Sequence, residues 1–410
     1  MYYYLHSHCH LVKGALRGAI YDLHTNKVYS INNRAVELLS KCKETPIETT
    51  LTLEAESLEK NEQEKLFFDE LTSKNLGGYY FFPRIEENKE ENVFVPARLD
   101  FAWLELTTKC NNQCLHCYTS STPQSTSDEI PLQRWLSLIT ELKENGATGL
   151  QLIGGEPLLY SHWRTIVLKA KQQNFDFIEI FTNATLIDDD DIRFFSEHNI
   201  HIATTLYADN AQLHDEITQS RGSFNKTVNA IKKLLNHRIP VRIASIIMRN
   251  NENQAEAIMQ FCNSLGIEAL PPDVIRPAGR GANENLLPLH YKKPSIQPPF
   301  YVNETEFYLA QHYNPCLVGK IAITSQGNAL PCIFSREYIV GNIKNQSIHD
   351  IVNAEPLQNC WTLNKDKMPK CKDCEYRYAC PDCKIFSQSD ACSYVTEKCT
   401  YQPQLGTWSK

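Results

Sequence analysis

Apolar residues fall into three regimes of spacing along the chain. In the first, short alternating runs at Ala19 to Leu23 and Val28 to Ile31 flank a Thr25-Asn26 turn. Ala35 to Leu39 then begins a helical face that Leu66, Phe67 and Leu71 continue, and Gly77-Gly78 breaks it ahead of an aromatic strand, Tyr79 to Phe82. Strands leading into helices predict a small winged-helix-like module. The acidic stretch Glu86 to Glu91 after Pro83 reads as a solvated linker.

In the second regime, apolar runs near 102–106, 149–153, 177–181, 201–206, 241–247 and 269–275 alternate with helical segments. The clearest helix begins at Pro131, carries Leu132, Trp135, Leu138, Ile139 and Leu142 on one face, and ends at Gly146. Six such units predict a parallel, curved α/β sheet. In the third regime, after about 290, the chain is rich in Pro and Cys and weakly periodic, which predicts a fold held by metal more than by a large core. The expected division is 1–95, 96–290 and 291–410.

Composition narrows the class. A hydrophobic content of 42% suffices for a sizeable core, and no run approaches the roughly 20 apolar residues that cross a bilayer. The start, Met1 to His10, lacks the order of a secretion signal, so the expected location is cytoplasmic. A net charge of -7, with Lys and Arg scattered among acids, argues against nucleic-acid binding. Fifteen cysteines in a reducing compartment point to metal rather than disulfides. Three lie together at 110–117 and nine follow residue 315, leaving Cys9, Cys42 and Cys262 as small buried hydrophobes.

Cys110-Asn-Asn-Gln-Cys114-Leu-His-Cys117 follows directly on the first strand of the α/β region. Three close thiolates suit an iron–sulfur cubane with one iron left free of protein, and a zinc knuckle is the alternative. Gly154-Gly155-Glu156-Pro157 closes the second predicted strand, where glycines allow close backbone approach and a carboxylate can accept from an ammonium group. Thr182-Asn183 closes the third and Thr205 the fourth, and both offer contacts suited to a ribose. Four such motifs at the C-terminal ends of four consecutive strands are placed as parallel barrels place active sites.

These residues resemble the radical S-adenosylmethionine (radical SAM) superfamily, whose three-cysteine signature usually has an aromatic before the last cysteine; here that place is taken by His116, another planar ring. The resemblance implies an α/β fold with a partial (β/α)6 TIM-like barrel and an oxygen-sensitive 4Fe–4S cluster on Cys110, Cys114 and Cys117. Its open iron would chelate SAM and cleave it to a 5′-deoxyadenosyl radical. Gly154, Gly155, Glu156, Thr182, Asn183, Thr205 and His116 would bind SAM, with Glu156 on its amino group and His116 against adenine.

A second set, Cys316, Cys332, Cys371-x2-Cys374-x5-Cys380-x2-Cys383, Cys392 and Cys399, has metal-binding spacing, with structural zinc as the plain alternative. It resembles the SPASM domain, which implies one or two auxiliary 4Fe–4S clusters. Cys316, Cys332 and Cys383 would serve one, with Cys360 or Cys392 completing it or one iron left open. Cys371, Cys374, Cys380 and Cys399 would serve the other. Two residues separate Cys380 and Cys383 where the family has three.

The N-terminal module resembles a leader-peptide recognition element, with a dimerisation unit as the alternative. Leu11-Val-Lys-Gly-Ala15, Ile20-Tyr-Asp-Leu23, Cys399-Thr-Tyr-Gln-Pro403 and Gly406-Thr-Trp408 resemble the grasp-with-spasm class of peptide maturases. The implied reaction is hydrogen abstraction from a ribosomally made precursor peptide, ending in a cross-link or related modification. The implied partners are that peptide, an ATP-grasp ligase acting on it, and an electron donor. Competing readings are a sulfatase-type protein maturase and a non-catalytic iron–sulfur carrier or scaffold.

Overall fold

The computed structural model describes residues 1–54, 58–84, 97–126, 129–291, 297–382 and 399–408. The acidic linker, Cys383 and Cys392 lie outside these residues.

Strand β1 (Tyr2–Leu5) opens the chain. β2 (Cys9–Lys13), β3 (Arg17–Asp22) and β4 (Lys27–Asn32) form an antiparallel sheet in that order. Helices α1 (Asn33–Lys41), α2 (Ile47–Glu54) and α3 (Leu58–Ser73) follow. Asn32 caps α1 by accepting from the Ala35 amide at 2.8 Å, so the helix starts where the sheet ends. Ala35, Val36, Leu38 and Leu39 then pack with Tyr3, Ile20, Phe68 and Leu71. β5 (Gly77–Tyr80) returns antiparallel beside β1. Gly77 and Gly78 therefore belong to the strand instead of breaking the chain before it. A Cβ at Gly77 would lie 2.7 Å from both the Tyr3 ring and the Tyr4 carbonyl oxygen, so this close pairing needs a residue without a side chain.

The central region alternates strand and helix: β6 (Phe101–Glu105), α4 (Leu132–Glu144), β7 (Gly149–Ile153), α5 (Trp163–Gln172), β8 (Phe177–Phe181), α6 (Asp189–Glu197), β9 (His201–Thr204), α7 (Ala211–Thr218), α8 (Ser223–Asn236) and β10 (Val241–Ile243). These five strands are parallel neighbours in sequence order. Leu104, Leu152, Ile180 and Ile202 bury one face against the helices, and Trp135, Leu138, Ile139 and Leu142 of α4 are fully covered there. The other face mixes aromatic and polar groups: Trp103, Gln151, Glu179 and His201 are register partners across four strands, with the Phe101 and Phe177 rings beside them. Gln151 donates to Glu179, whose carboxylate also takes a fork from Arg242 at 3.0 and 2.7 Å. Asp188 and Asp191 close a capping box at α6, with three aspartates in its first turn complementing the helix dipole.

Three expectations change. Pro131 precedes α4 as its cap residue, and the run 241–247 divides into β10 and β11 (Ile246–Ile247). The chain changes partner between them. The Ala244 amide still bonds to Thr204, whereas Ser245 accepts from Asp273. After α9 (Ala255–Ser264), the sixth predicted strand is reduced to β12 (Asp273–Val274), paired with β11 outside the main sheet.

The C-terminal region contains α10 (Glu304–His312), β13 (Lys320–Ile323), β14 (Asn328–Leu330), β15 (Gly341–Asn342), α11 (Ile348–Asn353), α12 (Glu355–Thr362) and a last pair, β16 (Tyr401–Gln402) and β17 (Thr407–Trp408). It is not short of apolar packing as its weak periodicity predicts. β13 joins the main sheet parallel to β6, and β14 and β15 extend it antiparallel. Ile321, Ile323, Ala329, Ile351, Leu357 and Trp361 belong to the same core as α4 and β6, which therefore runs on past position 290. Strands of two to four residues carry too little alternation to be read from sequence.

Candidate functional site

The cysteine loop leaves β6 at the C-terminal edge of the sheet and is fixed by backbone from several elements. The Cys110 amide donates to Thr122, Gln113 to Thr218 and Leu115 to Ile217. Beneath it, Gly154 has φ +142°, and a Cβ at Gly155 would lie 2.2 Å from the Lys109 carbonyl oxygen. The Gly155 and Glu156 amides donate to Thr107 and Lys109 at 2.8 and 2.7 Å. In the described fold these glycines bring backbone against the start of the cysteine loop, where sequence reasoning expected the approach to be to a ligand.

Glu156 is fully buried and joins the strand ends. One carboxylate oxygen accepts from Thr182 Oγ1 at 2.6 Å and the Leu158 amide at 3.1 Å, and the other accepts from the Asn183 amide at 2.8 Å. Burial pushes its carboxyl up to about 7, with these donors pulling the other way. Asn183 donates to Asn111 Oδ1 at 2.8 Å and lies 3.8 Å from Cys110 Sγ. Thr205 reaches the Tyr207 hydroxyl, and the Tyr207 ring meets His116 edge-on at 4.7 Å. Gly154, Gly155, Glu156, Thr182, Asn183, Thr205 and His116 are thus gathered around one loop.

The donor set fits a cluster and a polar cofactor. Cys110 Sγ accepts from the Asn112 amide at 3.4 Å, and Cys117 Sγ from the Ser121 amide at 3.3 Å, the contacts that stabilise sulfur carrying negative charge. Burial pushes the free Cys110 thiol up to about 12 and Cys114 higher still, a cost that bound iron would remove. The three sulfurs are not all drawn within 4.8 Å of one another, as the ligands of a single zinc ion would be. The buried atoms His116 Nδ1, Asn112 Oδ1 and Thr204 Oγ1 have no partner among the described residues, leaving polar capacity beside the loop.

One clasp was missed by sequence reasoning. The Arg280 amide donates to the Cys117 carbonyl at 2.9 Å, while its guanidinium donates to the carbonyls of Cys114 and Ser121 at 2.8 Å each. Gly279 and Gly281 flank it, and a Cβ on either would lie within 2.6 Å of backbone at Tyr118, Cys117 or Arg276. The available signal was Gly-Arg-Gly following the last predicted strand.

In the second cysteine set, Cys371, Cys374, Cys380 and Cys399 line one cavity with Lys365, Lys370, Arg377 and Tyr401. Four thiols around a cavity edged by cations can hold an anionic iron–sulfur cluster. Cys332 lies close enough to Cys316 for its thiol to be raised by it, after burial, the larger cause. Cys360 lies on α12 within the main core and bonds with Tyr338. Cys42 and Cys262 are buried among apolar side chains as expected, whereas Cys9, also buried, lies beside the Asp22 carboxylate as well as the apolar core. The N-terminal sheet abuts this region: Tyr21 Oη donates to the Glu375 carbonyl, the Ala15 amide to Asp373, and Arg377 to Lys13, each at 2.8 Å.

Residues 104–262 match the Radical SAM superfamily, and residues 316–375 match an iron–sulfur cluster-binding domain, SPASM. The antilisterial bacteriocin subtilosin biosynthesis protein AlbA of Bacillus subtilis is 25% identical over 65% of this chain, which spans 64% of that protein's length. The AdoMet-dependent heme synthase of Methanosarcina barkeri is 25% identical over 74% of this chain and 96% of its own. In fold, the chain is similar to Streptococcus suis SuiB bound to precursor peptide SuiA, with a TM-score of 0.55, 14% identity, and coverage of 95% of this chain and 100% of that one. Among the described residues no helix is long and apolar enough to cross a membrane. With both matches in this order and a thiol set for each, the chain carries a Radical SAM domain followed by a SPASM domain, with S-adenosylmethionine and iron–sulfur clusters as the cofactors of those domains.

Proposed function

We propose that this protein is a radical SAM peptide maturase that removes a hydrogen atom from a ribosomally made precursor peptide and installs a cross-link or related modification. The observation that carries the reading is the union, in one chain, of the cysteine loop over the Glu156 network with an N-terminal β2–β4 and α1–α3 module seated against the second cysteine set. Support comes from the similarity to AlbA, and from a fold shared over 95% of the chain with SuiB bound to its precursor peptide.

When bound, the cluster and SAM supply a carbon-centred radical oxidant. The protein's own residues then have separable tasks. Cys110, Cys114 and Cys117 hold the cluster. Glu156 accepts from the methionine ammonium, Thr182, Asn183 and Thr205 meet the ribose and carboxylate, His116 stacks at the adenine, and Gly154 and Gly155 fix the loop beneath them. Cys371, Cys374, Cys380 and Cys399 hold one auxiliary cluster, and Cys316, Cys332 and Cys383 contribute to another. The N-terminal module receives the leader, an ATP-grasp ligase acts on the same peptide, and an external donor supplies electrons, all in the cytoplasm.

The test is anaerobic reconstitution followed by mass spectrometry of a precursor peptide encoded beside this protein, after incubation with enzyme, SAM and reductant. A mass loss of about two hydrogens per cross-link, together with released 5′-deoxyadenosine, is the expected result. SAM cleavage with an unmodified peptide would overturn the peptide reading. The heme synthase similarity would then direct the search to a non-peptide substrate. No SAM cleavage at all would leave a carrier or scaffold.

A further inference from the structure

One group of ligand-type side chains lies outside everything assigned above. Cys9 opens β2, Asp22 closes β3, and the two are register partners, so both side chains leave the same face of the hairpin. Both are buried. His8 precedes Cys9 and is held by the Leu23 amide donating to its carbonyl at 2.9 Å. Its Nε2 lies 3.8 Å from Asp22 Oδ1, and the ring remains partly exposed. An imidazole nitrogen, a thiol sulfur and a carboxylate oxygen here lie within 4.8 Å of one another. Among the described residues no other set of three such atoms is as tight. The rings of His6 and His24 stand 5.7 and 5.6 Å from that of His8.

The plain account is a hairpin turn in which Asp22 accepts from the His24 and Thr25 amides and from Thr25 Oγ1. That accounts for the donors on Asp22. It does not account for a buried thiol and an imidazole facing the same carboxylate. The turn bonds also orient that carboxylate as outer-shell contacts orient a metal ligand.

We propose that His8, Cys9 and Asp22 bind one zinc ion, distinct from the iron–sulfur clusters. A mixed nitrogen, sulfur and oxygen set suits zinc and is wrong for calcium or magnesium, which take oxygen ligands. Ligand atoms around tetrahedral zinc stand roughly 3.3–3.8 Å apart. With His8 Nε2 and Asp22 Oδ1 already at 3.8 Å and all three atoms within 4.8 Å, closure on binding amounts to at most roughly 1.5 Å, and His8 Nε2 turns from the Asn75 carbonyl, which it now meets at 3.3 Å. Binding displaces the Cys9 proton, and the fourth position goes to water, His6 or His24. The ion clamps the turn before β2 to the turn after β3.

The experiment uses the full chain, purified anaerobically with its clusters, then dialysed and analysed for zinc and iron. One zinc per chain is expected, lost in Cys9→Ser and Asp22→Asn with the iron content unchanged. Cobalt(II) titration of the full chain should give a sulfur-to-cobalt charge-transfer band that Cys9→Ser abolishes. His8→Ala, at a partly exposed position, should weaken cobalt binding at least tenfold without moving the unfolding midpoint measured with the site free of zinc and cobalt, and it decides the matter if the buried variants fail to fold. No zinc in the wild type, or equal zinc and an equal cobalt band in wild type and variants, would overturn the site.

Discussion

Arg336 Nη1 lies 2.5 Å from Glu105 Oε1, joining the last residue of β6 to the loop that follows Cys332. Glu105 is 5% exposed, and its carboxyl is raised by burial and held down by Arg336. Removing the arginine leaves a buried carboxylate without its cation. Arg336→Ala should therefore cost about 3 kcal/mol, the low end for a broken buried pair because the guanidinium keeps some water. Adding Glu105→Gln to Arg336→Ala should recover most of the loss. Thermal unfolding of the two variants checks it, and an unchanged midpoint in the single variant would show the pair contributes nothing.

Glu156 carries a pH prediction. Its carboxyl, raised to about 7 chiefly by burial, becomes protonated as pH falls through that value and can no longer pair with an ammonium group. SAM affinity should accordingly fall between pH 8 and pH 6, approaching tenfold per unit at the acid end. Glu156→Gln should bind at least tenfold more weakly at pH 8 and be flat with pH. Calorimetry on anaerobically reconstituted protein measures both, and a parallel pH profile in the variant would remove Glu156 from the role.

Gly155→Ala places a methyl 2.2 Å from the Lys109 carbonyl oxygen, and backbone on either side cannot yield cheaply. The expected outcome is loss of about four irons per chain, with the auxiliary iron retained. Mössbauer spectroscopy and iron analysis distinguish this from general misfolding, in which all iron would fall together.

Arg280 offers a conservative test. Lysine keeps the charge but cannot span two carbonyls with a planar fork. Arg280→Lys should lower SAM cleavage at least tenfold while leaving the C-terminal clusters in place, as read by 5′-deoxyadenosine release and iron content. Full activity would mean that its amide bond to Cys117 suffices.

What the sequence disclosed follows the range of the contacts. The α4 face and the strands ending at Glu156, Thr182 and Thr205 rest on local periodicity, and the cysteine loop on short spacing. Arg280 could not be read this way, because its carbonyl partners at Cys114 and Ser121 lie 166 and 159 positions away. The same holds for β13, a four-residue strand whose place beside β6 depends on register with residues over two hundred positions earlier. The double glycine was noticed, but its tight fit against Lys109 exists only once two strands are side by side.

That adjacency of β13 and β6 has a bearing on electron flow. The loop bearing Cys110 follows β6, and Cys332 follows β14, which lies beyond β13 in the same hydrogen-bonded sheet, two strand spacings or roughly 10 Å from β6. Clusters held on those cysteines, as proposed, would be mounted on strands of one sheet, β6 and β14, with β13 between them. On that arrangement, a large change in the separation of β6 and β14 would have to break the hydrogen bonds of β13 to both, so potential and protonation are the cheaper routes to gating.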